Sequence, residues 1–150
     1  MKICIVSSAG GHLIQCLKLL PILKKHKVFV ITFEKTPLKT LLKSLKTYLI
    51  ENPKRNPIKY IVFTPSFMNI LINEKPDVVI TTGAGVAVPI CLFAKLFFNS
   101  KIIFIESFSR IYKPSSTGKI LYNFADLFFV QWSKLKNEYG EKAIYVGSLL

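Results

Sequence analysis

Few side chains in this sequence of 150 residues have both the chemistry and the setting to move a proton or hold an anion. His12 follows Gly10-Gly11, just after the apolar run Ile3–Val6. Gly83 and Gly85 follow a second apolar run, Val78–Ile80, and Glu106 closes a third, Ile102–Ile105, with Arg110 four residues on. A histidine at the start of a helix can take a proton or donate to an anion. A carboxylate at the end of a buried strand is costly unless it is paired. Glu106 is therefore expected either to serve as a general base or to form a structural ion pair with Arg110. Glycine turns between strand and helix let backbone N–H groups approach a phosphate, with the helix dipole behind them. A plain tight turn of small residues is the competing reading of Ser7–His12.

Two fuller motifs fail on inspection. Gly83-Ala84-Gly85-Val86-Ala87-Val88 has the form Gly-x-Gly-x-x-Val, but it lacks the third glycine of a dinucleotide fingerprint and lies far from the amino terminus. Ser115-Ser116-Thr117-Gly118-Lys119-Ile120 resembles the tail of a P-loop, yet Lys113 stands where the first glycine belongs and Ile120 where Ser or Thr belongs. A helix capped by Ser116 or Thr117 fits that stretch better. The two histidines stand apart, so no metal and no cofactor is expected. Cys4, Cys16 and Cys91 are odd in number, lie in apolar contexts and have no Cys-x-x-Cys spacing, which predicts buried reduced thiols.

The elements that must position these groups alternate along the chain. Strands are predicted at Ile3–Val6, Val28–Phe33, Tyr48–Ile50, Val78–Ile80, Ile102–Ile105, Leu127–Val130 and Ala143–Val146. Helical patterns lie between them. One carries Leu13, Cys16, Leu17 and Leu20 on one face, with Pro21 kinking or restarting it. Another opens at Pro37, with Leu38, Leu41, Leu42 and Leu45 inward. Glu51–Lys59 reads as a basic loop, and Tyr60–Asn73 is ambiguous between strand (Tyr60–Thr64) and helix, with helix favoured after Pro65. Val86–Phe98, Thr117–Ala125 and Ser133–Glu138 complete the helices. Alternation of this kind predicts one α/β domain over residues 1–150, a Rossmann-like parallel sheet with helices on both faces. Ligands of such sheets sit outside the carboxyl ends of the strands, so both polar clusters fall on one rim.

A hydrophobic content of 51% excludes disorder, and a net charge of +13, from 21 Lys+Arg against 8 Asp+Glu, favours anionic partners. All but Arg55 and Arg110 of these cations are lysines, which suit a diffuse field. Nucleic acid is a weak candidate, because no recognition helix or stacking platform is evident; Phe124, Phe128, Phe129 and Trp132 read as core or subunit interface. Val86–Phe98 is too short to span a bilayer comfortably and is expected to be buried or interfacial. Because Met1–Val6 leads straight into a predicted strand, no signal peptide is expected.

Six motifs in register carry a resemblance. They are Gly10-Gly11-His12, Thr82-Gly83-Ala84-Gly85-x-x-x-Pro89, Ile105-Glu106-Ser107-x-Ser109-Arg110, Thr117-Gly118-Lys119-x-Leu121-Tyr122, Ala125-Asp126-Leu127-Phe128-x-Val130-Gln131-Trp132 and Tyr145-Val146-Gly147. Together they resemble the asparagine-linked-glycosylation protein fourteen family and its bacterial counterparts in exopolysaccharide synthesis. The resemblance implies the amino-terminal, acceptor-side half of a split GT-B glycosyltransferase, similar to the amino-terminal domain of MurG. A separate chain would bind the UDP-sugar, and this one would present a polyprenyl-pyrophosphate-linked acceptor at the cytoplasmic face of a membrane, attached peripherally. The sugar would be N-acetylglucosamine, or another such as glucuronic acid or galactose. Glu106 and His12 are the candidate bases, with Glu106 preferred. Gly10, Gly11, His12, Gly83, Gly85 and Arg110 would contact acceptor or phosphate. No Asp-x-Asp is present, which fits metal-independent chemistry. The alternative is a non-catalytic anchor that recruits the catalytic chain.

Overall fold

The structure is a computed structural model that describes residues 1–33, 42–51 and 57–149, with the backbone alone over 57–64. Seven parallel strands form one sheet: β1 (Lys2–Val6), β2 (Lys27–Phe33), β3 (Lys46–Ile50), β4 (Val78–Thr81), β5 (Lys101–Ile105), β6 (Leu127–Val130) and β7 (Ala143–Tyr145). Their order is β3-β2-β1-β4-β5-β6-β7. The helices are α1 (Gly11–Leu17), α2 (Leu20–Leu23), α3 (Pro57–Glu74), α4 (Ala87–Phe98), α5 (Ser116–Leu121) and α6 (Ser133–Tyr139). The winding runs outward from β1 in one direction and from β4 in the other, and these two strands pair directly, Ile3 with Val78 through Val6 with Thr81. The crevice of a doubly wound sheet opens at such a reversal. Here it lies between the turn after β1 and the turn after β4.

Both faces carry apolar side chains because parallel strands are buried on both sides. On one face Phe29, Val79, Phe104 and Phe128 pack with Phe67 of α3, Ile90 of α4, Leu121 of α5 and Leu135 of α6. On the other, Ile5 and Val30 pack with Leu13 and Cys16 of α1 and with Leu42. Each buried phenylalanine contributes about 2 kcal/mol of transfer free energy. Phe104 and Phe128, stacked at 4.7 Å between centroids, tie β5 to β6 at the centre of the larger cluster.

The expected strands are all present. Two helices differ from expectation, and in the first, α3 begins at Pro57, so Tyr60–Thr64 is helical and the helix passes through Pro65. That proline is exposed, so its missing N–H lies on the solvent face, where a lost backbone bond is least costly. Pro89 sits in the first turn of α4, where an N–H would have no intrahelical partner. The helix predicted over Thr117–Ala125 is shorter, Ser116–Leu121, and ends in a turn. Most of the helix predicted from Pro37 lies outside the described residues, as does the central part of the Glu51–Lys59 loop. Cys4, Cys16 and Cys91 are buried and free, and burial raises all three thiols above their usual range, Cys91 to about 12.

The amino edge of the sheet is held by carboxylates. Glu74, at the end of α3, accepts from Lys2 at 3.2 Å, from Lys46 and from the Tyr48 hydroxyl. Asp126 accepts from Lys95 and from the Ile102 N–H, both at 2.8 Å, and from Lys101 at 3.3 Å. Burial on its own would raise both carboxyls, but these donors hold each at about 2. A folded pKa below the unfolded one stabilises at pH values above the unfolded pKa, near 4. This contribution is complete above about pH 5 and is lost as pH falls towards 2. Glu74→Gln is therefore expected to cost about 2 kcal/mol at pH 7 and to flatten the decline in urea midpoint between pH 5 and 2. An unchanged midpoint and an unchanged pH slope would show that Glu74 holds nothing.

Candidate functional site

The rim at the carboxyl ends of the strands is built from the two glycine turns and from a network of buried polar side chains. Gly10 (φ 95°) and Gly83 (φ 101°) adopt positive φ, which side chains rarely tolerate. A Cβ on Gly83 would lie 3.7 Å from His12 Cε1 and 3.9 Å from Thr117 Cβ, so the turn after β4 is folded tightly against α1 and α5. Ala84, at φ 135°, is held in a conformation costly for a non-glycine residue, and costs of this kind concentrate at functional turns.

Thr82 joins the two turns. Its carbonyl accepts from His12 Nδ1 at 2.9 Å, and its hydroxyl donates to the His12 carbonyl at 2.9 Å. Cys16 Sγ donates to the same hydroxyl at 3.5 Å. Because a carbonyl can only accept, Nδ1 carries the proton and Nε2 of the neutral ring keeps its lone pair. No described protein group occupies Nε2, and the ring is half-buried. His12 thus holds an imidazole of fixed tautomer where the turns after β1 and β4 meet.

Glu106 has a different character. It is fully buried at the end of β5, and its carboxylate accepts from the Ser107 N–H (2.8 Å), the Ser115 N–H (3.1 Å), the Ser115 hydroxyl (2.9 Å) and the Tyr139 hydroxyl. Three of these donors converge on Oε2 and one, the Ser107 N–H, reaches Oε1. The expected ion pair with Arg110 is not formed. Arg110 is exposed and contributes a backbone bond, its N–H donating to the Ser107 carbonyl at 2.9 Å. Burial and the adjacent carboxylate together push the Tyr139 phenol well above its ordinary range. Ser115, rather than Ser116 or Thr117, caps α5, accepting from the Gly118 N–H at 2.9 Å. Gly118 permits this convergence, since a Cβ there would meet Tyr139 Oη and would come within 2.8 Å of Glu106 Oε2.

Sequence reasoning missed Gln15 and Gln131, both buried. Gln15 Oε1 accepts from the Phe108 N–H (2.9 Å) and from Gln131 Nε2 (2.8 Å), while Gln15 Nε2 reaches the Gly11 carbonyl at 3.3 Å. Gln131 Nε2 also donates to the Glu106 carbonyl (2.9 Å), and its Oε1 accepts from the Leu149 N–H (2.8 Å). Trp132 Nε1 donates to the Phe108 carbonyl at 2.7 Å. A glutamine amid the apolar residues of a helix or strand end was the available signal. Through this pair the turn holding His12 and the loop after Glu106 become one body. No group of three or more His, Cys, Asp or Glu side chains among the described residues could hold a metal ion.

The fold of this chain is that of one half of a GT-B glycosyltransferase. It superposes with TM-score 0.78 on MurG of Acinetobacter baumannii at 20% identity, covering 98% of this chain and 45% of that one. It superposes with TM-score 0.73 on a UDP-GlcNAc 2-epimerase of Neisseria meningitidis at 18% identity, covering 99% and 47%. The chain thus spans less than half of each solved structure. Residues 51–149 match the family model described as oligosaccharide biosynthesis protein Alg14 like. The human UDP-N-acetylglucosamine transferase subunit ALG14 is 31% identical over all of this chain and 83% of its own length, and the Yarrowia lipolytica subunit of that name 29% identical over 99% and 81%. The chain belongs to the Alg14-like family of oligosaccharide biosynthesis proteins.

The packing around Glu106 yields a stability prediction. Gly118→Ala is expected to displace Tyr139 from the carboxylate and to lower stability by about 2–3 kcal/mol in urea unfolding. A wild-type midpoint would mean that the carboxylate keeps its donors by another route.

Proposed function

We propose that this chain, as a single domain over residues 1–150, is the acceptor-side subunit of a two-chain glycosyltransferase. A separate chain binds UDP-N-acetylglucosamine, and this one presents a polyprenyl-pyrophosphate-linked acceptor to it at the cytoplasmic face of a membrane. The observation that carries the proposal is His12: Thr82 fixes its tautomer, and the ring edge lies 3.7 Å from where a Cβ on Gly83 would stand, at the meeting of the turns after β1 and β4. Transfer needs a base for the acceptor hydroxyl and support for a departing diphosphate. The geometry favours His12 over Glu106 as that base, because Glu106 is fully buried and its carboxylate already accepts from four protein donors, three on Oε2 and one on Oε1. Glu106 then acts by position. Gly10, Gly11, Gly83 and Gly85 form the cradle, and Arg110 supplies charge beside it.

Membrane attachment on this reading is peripheral. No helix among the described residues is long and apolar enough to cross a bilayer. On α4, Leu96 is 76% and Phe97 63% exposed, and Ile72 of α3 is exposed as well. Exposed apolar side chains of this kind suit contact with a lipid surface.

The test is a reconstituted pair. When this chain is purified with its nucleotide-sugar-binding partner, His12→Gln is expected to lower the transfer rate by about 10²- to 10⁴-fold while the pair still co-purifies. A second reading, a non-catalytic anchor, is favoured by the burial of Glu106 behind four protein donors. Transfer at the wild-type rate by the His12→Gln pair would establish that reading instead.

A further inference from the structure

Ion pairing among the described residues is confined to one edge of the sheet, although exposed Lys24, Lys25 and Lys27 on that edge have no carboxylate partner either. The ion pairs among the described residues are Lys2–Glu74, Lys46–Glu74, Lys95–Asp126 and Lys101–Asp126, all at the amino ends of the strands. At the rim the buried carboxylate, Glu106, is satisfied by neutral donors. Arg110, Lys113 and Lys134 are exposed there, and none has a carboxylate partner among the described residues. Charge left unpaired beside a ligand crevice focuses an anion towards it.

The loop that carries two of these cations is held firmly. Ser107 and Ser115, at its two ends, donate to the same carboxylate. Phe108 is gripped at its N–H by Gln15 and at its carbonyl by Trp132, whose ring packs on the Phe108 ring at 5.1 Å. Ser107 and Ser109 share a hydroxyl contact at 3.1 Å. On this fixed frame Arg110, Ile111, Tyr112 and Lys113 all point outward, Tyr112 with 62% of its surface exposed. The Lys134 ammonium sits 4.6 Å from the centre of the Tyr112 ring. A cation–π contact positions that ammonium while leaving its hydrogen-bond donors free. Side chains in this arrangement are pre-organised for binding, and apolar tips interleave with the cationic heads.

We propose that Arg110, Lys113 and Lys134, with Tyr112 and Ile111 beside them, form a site for the diphosphate and the first isoprenoid units of the membrane-borne acceptor. Charge complementarity selects the diphosphate, and the two exposed apolar side chains select a lipid-linked one. Glu106 is the positioning residue that holds the loop. The inference rests on the acceptor-side reading above and adds Tyr112, Lys113 and Lys134 to it.

The test uses the full chain and vesicle co-sedimentation. Phosphatidylcholine vesicles carrying a polyprenyl diphosphate are compared with phosphatidylserine vesicles of matched surface charge, and inorganic pyrophosphate is added as a competitor. R110A/K113A/K134A is expected to lose about tenfold or more in affinity for the diphosphate vesicles. K24A/K25A/K27A, which removes the same charge from exposed residues around α2 and β2, is expected to lose no more than about threefold. Pyrophosphate is expected to displace wild type from the diphosphate vesicles and not from phosphatidylserine. Equal losses in the two triple variants, or no competition by pyrophosphate, would overturn the site in favour of a diffuse field. All the altered side chains are exposed, so unchanged urea midpoints are expected and serve as the folding control. A reconstituted pair that fails to transfer while vesicle binding remains selective would defeat the acceptor-subunit reading and leave the anion site standing.

Discussion

A carboxylate withdrawn from water with no cation beside it has to be compensated by neutral donors, and the neighbourhood of Glu106 is shaped by that requirement. Two backbone N–H groups and two hydroxyls surround it, drawn from the loop after β5, the cap of α5 and the end of α6. Such a centre is costly when half satisfied and rigid when complete. Three segments distant in sequence are thereby fixed against one another. The neighbouring glutamines extend the constraint to α1, where Gln15 holds the Gly11 carbonyl. The crevice around His12 thus derives its shape from a group that does not open onto it.

The sheet topology explains why these parts meet. Right-handed crossovers leaving β1 and β4 in opposite directions bring the first turn of α1 and the turn after β4 to the same gap. No side-chain chemistry is needed for that encounter. What chemistry adds is the Thr82–His12 pair of bonds, which ties two adjacent turns together and fixes the imidazole tautomer.

The fold was legible in the sequence because alternating apolar runs and helical patterns report burial, and burial here follows the sheet. Tyr60–Thr64 is ambiguous in the sequence because its aromatic and β-branched residues suit a strand locally, while in the folded chain it belongs to the helix that crosses back to β4. The rim was legible at its glycines and at His12, whose types are unusual at strand ends. The partners of Glu106 were not. Pairing it with Arg110 follows from proximity in sequence, whereas its donors Ser115 and Tyr139 lie 9 and 33 residues away. Gln15 and Gln131, 116 residues apart, show no periodic signal of their contact. Local pattern identifies where a polar group must be satisfied, and tertiary structure decides by what.

The three cysteines have a further use. Cys4 lies in the central strand β1, Cys16 in α1 on one face and Cys91 in α4 on the other, all buried with raised pKa values. A thiol reacts with an alkylating reagent only as exposed thiolate, so in the native state all three are silent. Each becomes a clock for its own layer: the order in which they label under native conditions gives the order in which the sheet and its two coverings come apart. The molecule carries its own opening gauge, with one hand per layer.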